Sequence, residues 1–552
     1  MILTNGKIVT ADKAFSVGEA VAIRDDKIIA VGTSSQVARF GGPGVKIVDL
    51  KGSTVIPGLI DAHLHPESAS VSELDGEIPD LHTEGELLGW LKDQVAISRK
   101  NEWIIHPKLF FTRLKELRMP SISELDRIAP RNPVFLNGSF GGMINTAAMK
   151  LSGITGNTGH HGLTRDKKTG FFTGIIRASA FPLLKLPPDK KLTLQEKLDA
   201  LHNMLKRYNR MGITSVCSGE GDFDNYRMYR ELYNKNKLTV RVFQNIILGK
   251  GSGKPVALLC DELKSCGYAT GYGDEWARIG SIKIMLDGGI LTGTAYMNEP
   301  WGERACKVFG IDDKSYRGII NYTYDEVLSI VTMASEMNWK FAAHCTGSGS
   351  VDMLLDVFNE VNRIKPLKER RFAIIHGNFF SRDAIRRMSE LGIYADMQPA
   401  WFYKDADALR LILGKRRTGS FHPYRSLIDA GVVINGGSDH MVKWDPDMSV
   451  NPFNPFLGMW AMITRTTSRE NVIMKEQAVT REEALKIYTI NNAYASFEEE
   501  IKGTIEPGKL ADMVVLSDDI LTCPADRIIN IQSEMTLVGG KIVYDSGKFL
   551  QA

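Results

Sequence analysis

The segment VIPGLIDAHLHP sets His63 and His65 two residues apart at the end of an apolar run with the composition of a β-strand. Side chains two apart on a strand face the same side, so both imidazoles point one way. Two neutral imidazoles on one strand can ligate one metal ion, and Asp61 is placed to fix a tautomer from behind. An isolated His-x-His also fits a pair of packed or surface histidines. That alternative weakens because further ligand-type residues close later apolar runs: His344 after FAA, His376 after FAII, and Asp439 in NGGSD after VVI. Each alone reads as a satisfied core residue. Together they form the kind of constellation that a parallel barrel gathers at the C-terminal ends of its strands.

Such residues need strands to carry them, and the middle of the chain supplies the pattern. Short apolar runs alternate with amphipathic stretches, as in a parallel α/β architecture. Eight runs read as strands: GLIDAHLH, GITSVCS, LTVRVFQNI, IGSIKIMLDG, KFAAHCTG, RFAIIHGN, GIYADMQP and GVVINGGSD. Between some of them, LQEKLDALHNMLKRYNR and TYDEVLSIVTMASEMNW line up apolar residues on one helical face, as crossover helices require. Eight strand–helix units predict a closed (β/α)8, TIM-like barrel of the α/β class over residues 59–499. The stretch between the first two strands far exceeds a βα loop of about 2–6 residues. Residues 66–188 are therefore assigned to a cap inserted near the mouth, with ELLGWLKDQVAI and NPVFLNG among its own elements.

The two ends of the chain have a different texture. ILTNGKIVT, EAVAIRDDKIIAVG and KIVDLKGSTVIPG are short β-rich runs parted by turn residues. The style returns in GTIEPGKLADMVVLS and EMTLVGGKIVYDSGKFL, where GGKIVYD echoes the opening NGKIVTAD. Residues 1–58 and 500–552 are predicted to build one small β-sandwich-like domain from both termini.

Composition narrows the partners. With 552 residues, 43% hydrophobic and 24% charged, the chain has material for a large core and an ordinary globular make-up. Its 68 basic and 65 acidic residues are well mixed, and a formal net charge of +3 leaves no footprint for nucleic acid or an anionic membrane. A small-molecule partner is favoured, and a homo-oligomer stays open. No run approaches the roughly 20 apolar residues that span a bilayer. The opening MILTNGKIVTAD alternates like a strand and lacks the basic and apolar regions of a secretory signal, so a cytoplasmic location is the expectation. Six cysteines, none in a CxxC pair, read as reduced thiols.

The motifs VIPGLIDAHLHP, GITSV, SIKIMLDGGILTGTA, FAAHCTG, IIHGN, the Gln-Pro of DMQPA, GGSDH, EEALKIYTINNAYAS and GTIEPGKLADMVVL occur in this order along nearly the whole chain. In this the chain resembles the amidohydrolase superfamily, within the branch that includes N-substituted formamide deformylases and exoenzyme-regulator-like proteins. The resemblance implies that His63 and His65 hold one metal and His344 and His376 a second. It implies that Lys283, in SIKIMLDG, bridges the two. An ammonium group has no lone pair to donate, so this role requires Lys283 to become a carbamate, which a buried neutral lysine can do with carbon dioxide. A plain ion pair, for example with Asp287, is the alternative for Lys283. Asp439 would ligate the metal and move a proton between the water and the leaving group. Zinc fits this donor set best, with iron, manganese and nickel compatible.

The pattern departs from the branch at several places. Phe140, in GSFGGMINTAAM, stands where the branch has a histidine, Ser348 where an acidic residue is usual, and Ile375 where a glutamate commonly precedes the strand-six histidine. Phe140, Gln398, Trp401, Arg425 and His440 lie near motifs of the barrel mouth and are the substrate-side candidates; for the aromatics, simple packing is the competing role. The reading implied is a hydrolase that opens a C–N bond, in a linear or cyclic amide, with one or two divalent ions. Deamination, ester or carbamate hydrolysis on the same scaffold, and a silent binding protein, are the alternatives.

Overall fold

The computed structural model describes residues 1–166, 168–188, 190–249 and 254–549. Its centre is a sheet of eight strands, all parallel, paired in chain order: β1 (Leu59–Leu64), β2 (Ile213–Gly221), β3 (Arg241–Ile247), β4 (Ala277–Met285), β5 (Phe341–Cys345), β6 (Ala373–His376), β7 (Tyr394–Met397) and β8 (Ile434–Gly436). All eight runs read from the sequence are these strands. They are almost wholly buried and rich in Ile, Val and Ala, as strands covered on both faces must be. The helices Leu194–Arg210 and Tyr324–Glu336 precede β2 and β5, and each begins with a threonine capping box, Thr193 with Glu196 and Thr323 with Glu326.

The sheet curls until β8 meets β1, and side chains complete the seam where the two strands do not form a ladder. Asn492, from the NNAYAS segment, donates from Nδ2 to the carbonyls of Ile60 (2.5 Å) and Gly436 (2.9 Å). Its Oδ1 accepts from the amide of Gly436 at 3.1 Å. At the C-terminal end, the Asp439 amide donates to the His63 carbonyl (2.6 Å) and the His65 amide to the His440 carbonyl (2.7 Å). These bonds bring the first and last candidate ligands to the same rim.

Between β1 and β2 lies a five-stranded sheet, in the order Leu163–Arg165, Phe172–Arg177, Gly141–Ile144, Val134–Asn137 and Ile104–His106. Leu136 of this sheet, with Leu109 and Phe111 from the segment after Ile104–His106, shares a core with Trp401, Phe402 and Leu409 of the helix Pro399–Thr418. Arg113 adds a two-pronged ion pair to the buried Asp405 of that helix, at 2.7 and 2.9 Å.

A six-stranded sheet takes Lys7–Val9, Val17–Gly18 and Thr54–Pro57 from the start of the chain and Met513–Leu516, Ser533–Val538 and Lys541–Asp545 from its end. A four-stranded sheet from the first 49 residues packs with it through Leu3, Val21, Val55, Met513 and Leu537. The buried Arg241 of β3 pairs with Asp512 at 2.7 Å and so fastens this layer to the barrel. The six cysteines are all free thiols. Among the described residues no helix is long and apolar enough to cross a membrane.

Candidate metal centre

His63 lies within β1 and His65 just past its end, and both are buried. His65 Nε2 is 2.9 Å from Asp439 Oδ1, and His63 Nε2 is 3.7 Å from the same oxygen. The three residues offer ligand atoms that all lie within 4.8 Å of one another. Space for them is made by glycines. A Cβ on Gly219 of β2 would sit 2.6 Å from the His63 ring, and one on Gly437 would sit 2.5 Å from the His63 amide nitrogen.

Asp439 itself adopts a left-handed backbone (φ 56), as does His376 (φ 73). Such conformations in non-glycine residues cost on the order of 1 kcal/mol or more and cluster where a site imposes them. Asn451 fixes the aspartate, donating to its carbonyl at 2.7 Å and to Oδ2 at 3.1 Å, which leaves Oδ1 facing the histidines. Burial alone would raise the Asp439 pKa. The hydrogen bond and charge of His65, with the charges of His63 and Lys283, overcome it and hold the carboxyl below its usual range, so it is ionised at neutral pH.

The later strands bring a second group of donors. His344 and His376 have ring centroids 4.6 Å apart, and His376 lies 5.3 Å from His63. His344 donates from Nε2 to the Gly288 carbonyl (3.0 Å), and His376 donates from Nδ1 to Gln398 Oε1 (2.7 Å). Each ring therefore keeps one unprotonated nitrogen with its lone pair. Burial first, then neighbouring positive groups, pushes His63 and His376 well below the ordinary imidazole range and His344 down to about 4. Neutral imidazoles are what a metal needs. Lys283 is buried at β4 with Nζ 3.3 Å from His63 Nε2. The carboxylate of Asp287 accepts from the amides of Thr346 and Gly347 and from the Ser350 hydroxyl, and so builds the turn after β5.

The donor set fits a divalent cation. The lone pairs converge, one carboxylate is ionised, and among the described residues the buried His63 Nδ1 has no hydrogen-bond partner, with Asp396 Oδ2 at 3.6 Å. His65, Lys283, His344, His376 and Asp439 line a cavity of about 780 Å³. Phe140 and Trp401 also line it. The Phe140 ring lies 5.5 Å from His344, and Trp401 stacks on His376 at 4.6 Å with the rings nearly parallel.

Three substrate-side expectations are corrected. Arg425 lies on the outer helix Tyr424–Asp429, where Glu483 and Asp429 hold its guanidinium; that helix leads back toward the start of β8, away from the mouth. His440 points behind the site, with Nε2–H donating to the Lys443 carbonyl (2.6 Å) and Nδ1 accepting from the Tyr208 hydroxyl (2.9 Å). Gln398 is fully buried and holds His376, and is itself held by Asp396, which accepts from Gln398 Nε2 at 3.0 Å. The sequence reading missed Glu220, whose carboxylate lies 3.8 Å from His65 Nδ1 on the cavity wall. The run GITSVCS stopped three residues short of Gly221, the strand's true end.

The amidohydrolase family model matches residues 46–544. The chain belongs to the amidohydrolase family. This amidohydrolase is 27% identical over 561 residues to Protein LONG AFTER FAR-RED 3 of Arabidopsis thaliana, covering 99% of this chain and 91% of the relative. It is 26% identical over 556 residues to the N-substituted formamide deformylase of Arthrobacter pascens, with 99% and 98% covered. An uncharacterized metal-dependent hydrolase from Pyrococcus horikoshii has the same fold, with a TM-score of 0.68, 22% identity, and 95% and 99% of the two chains covered.

Proposed function

We propose that this amidohydrolase hydrolyses a C–N bond of an amide or cyclic amide, with His63, His65 and Asp439 holding one divalent ion. His344, His376 and a carbamylated Lys283 complete a second position beside it. The observation that carries the reading is the convergence of His63, His65 and Asp439 within 4.8 Å, with His65 and Asp439 lining the large cavity. The formamide deformylase among the relatives supports an amide-type substrate. Zinc suits the His-rich set with its one carboxylate.

A divalent ion held by His63, His65 and Asp439 would supply polarisation of the scissile carbonyl and a lowered pKa for a water. The chain's own groups do the rest. Asp439, ionised and aimed by Asn451, accepts a proton from the attacking water and returns it to the leaving nitrogen. Gln398 and the Gly288 carbonyl fix the tautomers of His376 and His344. Trp401 and Phe140 wall the reacting centre with apolar surface and keep bulk water out.

The test is a substrate panel of formamides, N-acyl amino acids, lactams, esters and ring amines, run before and after exhaustive chelation. Chelation-sensitive hydrolysis of an amide supports the reading. Turnover of ring amines or esters alone, or activity that survives removal of metal, contradicts it.

A further inference from the structure

A second cavity, of about 550 Å³, adjoins the first and shares Lys108, Phe110 and Arg113 as a common wall. Its remaining wall is strongly basic, with Lys115, Lys404 and Arg469 against Asp80, the single acidic lining residue among those described. Asp80 is engaged by His82 at 3.2 Å, and Arg113 is already matched by Asp405. Positive charge is therefore in excess here, in a chain whose formal net charge is only +3.

Two side chains show that the excess is built into the fold. Lys404 is half-buried, yet among the described residues its ammonium makes no ion pair and no hydrogen bond; burial lowers its pKa, and Asp80 is the nearest compensating charge in effect. His106 is only 2% exposed, lines the cavity, and among the described residues has hydrogen-bond partners on neither ring nitrogen. Trp90 holds the ring edge-on at 5.1 Å. Buried polar atoms without partners are rare and costly, so the buried His106 ring in a basic cavity that Lys404 also lines points to a ligand that supplies acceptors. The helix Pro399–Thr418 joins the two cavities: Trp401 faces the metal centre and Lys404, one turn on, faces the basic pocket.

We propose that this pocket is an anion subsite that takes a carboxylate, phosphate or sulfate on the far end of the substrate, so that the enzyme acts on amides with an anionic tail. The proposal rests on the hydrolase reading for its substrate arm, but the pocket's affinity for an anion does not. Lys404, Lys115 and Arg469 supply charge, and His106 a hydrogen-bond donor, at a position one cavity removed from the reacting carbonyl.

The experiment has two arms on the full-length protein as purified. In the first, binding of inorganic phosphate and of glutarate is measured by calorimetry for wild type, Lys404→Met, His106→Phe and His63→Ala/His65→Ala. Wild type should bind, and Lys404→Met should bind at least about tenfold more weakly, the loss of one charge-assisted contact. The His63→Ala/His65→Ala protein should keep wild-type affinity, because the metal centre lies in the other cavity. Equal affinity in wild type and Lys404→Met overturns the subsite, and folding of that variant is verified by its melting temperature. Lys404→Arg, which keeps the charge, should retain binding. In the second arm, kcat/KM is compared for an N-acyl amino acid and its neutral methyl ester. Wild type should prefer the acid by about tenfold or more, and Lys404→Met should erase the preference. Anion binding without any such preference would overturn the assignment to the substrate tail. If no amide is turned over at all, the hydrolase reading fails in the second arm while the first still decides the pocket.

Discussion

The Nδ1 atom of His376 lies 2.7 Å from Oε1 of Gln398, and this contact decides which nitrogen the imidazole can offer to an ion. An amide oxygen only accepts, so Nδ1 must carry the proton and Nε2 the lone pair. Gln398 in turn donates to Asp396, so its own orientation is fixed.

Replacing Gln398 by Leu removes the acceptor and leaves a buried N–H without a partner. Metal affinity and kcat/KM should fall by roughly 10–100-fold, the range for residues that orient a metal-binding histidine. Gln398→Glu keeps an acceptor and should retain more of both. Unchanged metal affinity in a folded Gln398→Leu protein would show that the contact does not control His376.

Lys283 could bridge two ions only as a carbamate, since an ammonium placed between two cations would be repelled by both. Lys283→Ala should lose activity and part of the bound metal, and short carboxylic acids should restore some of each by filling the bridge. Activity of the wild type should drop in carbon dioxide-free buffer after metal removal and recover with bicarbonate on remetallation. Full recovery of metal and activity without bicarbonate would contradict the carbamate bridge.

Asn492 holds the seam of the barrel with three hydrogen bonds to Ile60 and Gly436. Asn492→Ala leaves those backbone groups buried and unpaired, at about 1–3 kcal/mol for each such group. Denaturant unfolding should show a loss of at least about 2 kcal/mol, and a change within about 0.5 kcal/mol would mean the seam closes without it.

Acid should weaken the fold through His106. Burial holds its pKa down at about 4, whereas an unfolded histidine titrates near 6.5. Between these values the unfolded chain binds the extra proton, so stability is fully present above about pH 6.5 and is lost as pH falls toward about 4. Stability measured across that window should fall less steeply in His106→Phe than in wild type, by up to about 3 kcal/mol at the acid end. Parallel profiles would mean His106 does not titrate in this way.

Strand positions were legible because a strand buried on both faces must be a short apolar run, and all eight such runs are barrel strands. The rim histidines followed from ending those runs. What lay beyond the runs was harder to read. Glu220 sits on a stretch, SGEG, whose small polar residues carry no strand signal although β2 continues through it. Gln398 and His440 were placed near the substrate because of their neighbours in sequence. After β7 and β8, however, the chain turns sharply, and a one-residue step sends the next side chain behind the site instead of into it. Arg425 shows the same limit on a helix, where the partner that claims it, Glu483, is 58 positions away. The basic pocket was invisible because its charges come from four separate segments, which only the packing of the inserted sheet against the helix Pro399–Thr418 brings together.

The central claim is that His63 and His65 hold a divalent ion with Asp439, and its most direct test is elemental analysis of purified wild type beside His63→Ala/His65→Ala. Circular dichroism and melting curves of the same samples report the fold. The account predicts bound divalent metal in the wild type and the loss of at least one ion per chain in the double variant, with the fold kept, because rim side chains do not support the barrel core. Equal metal content in the two folded proteins would contradict it.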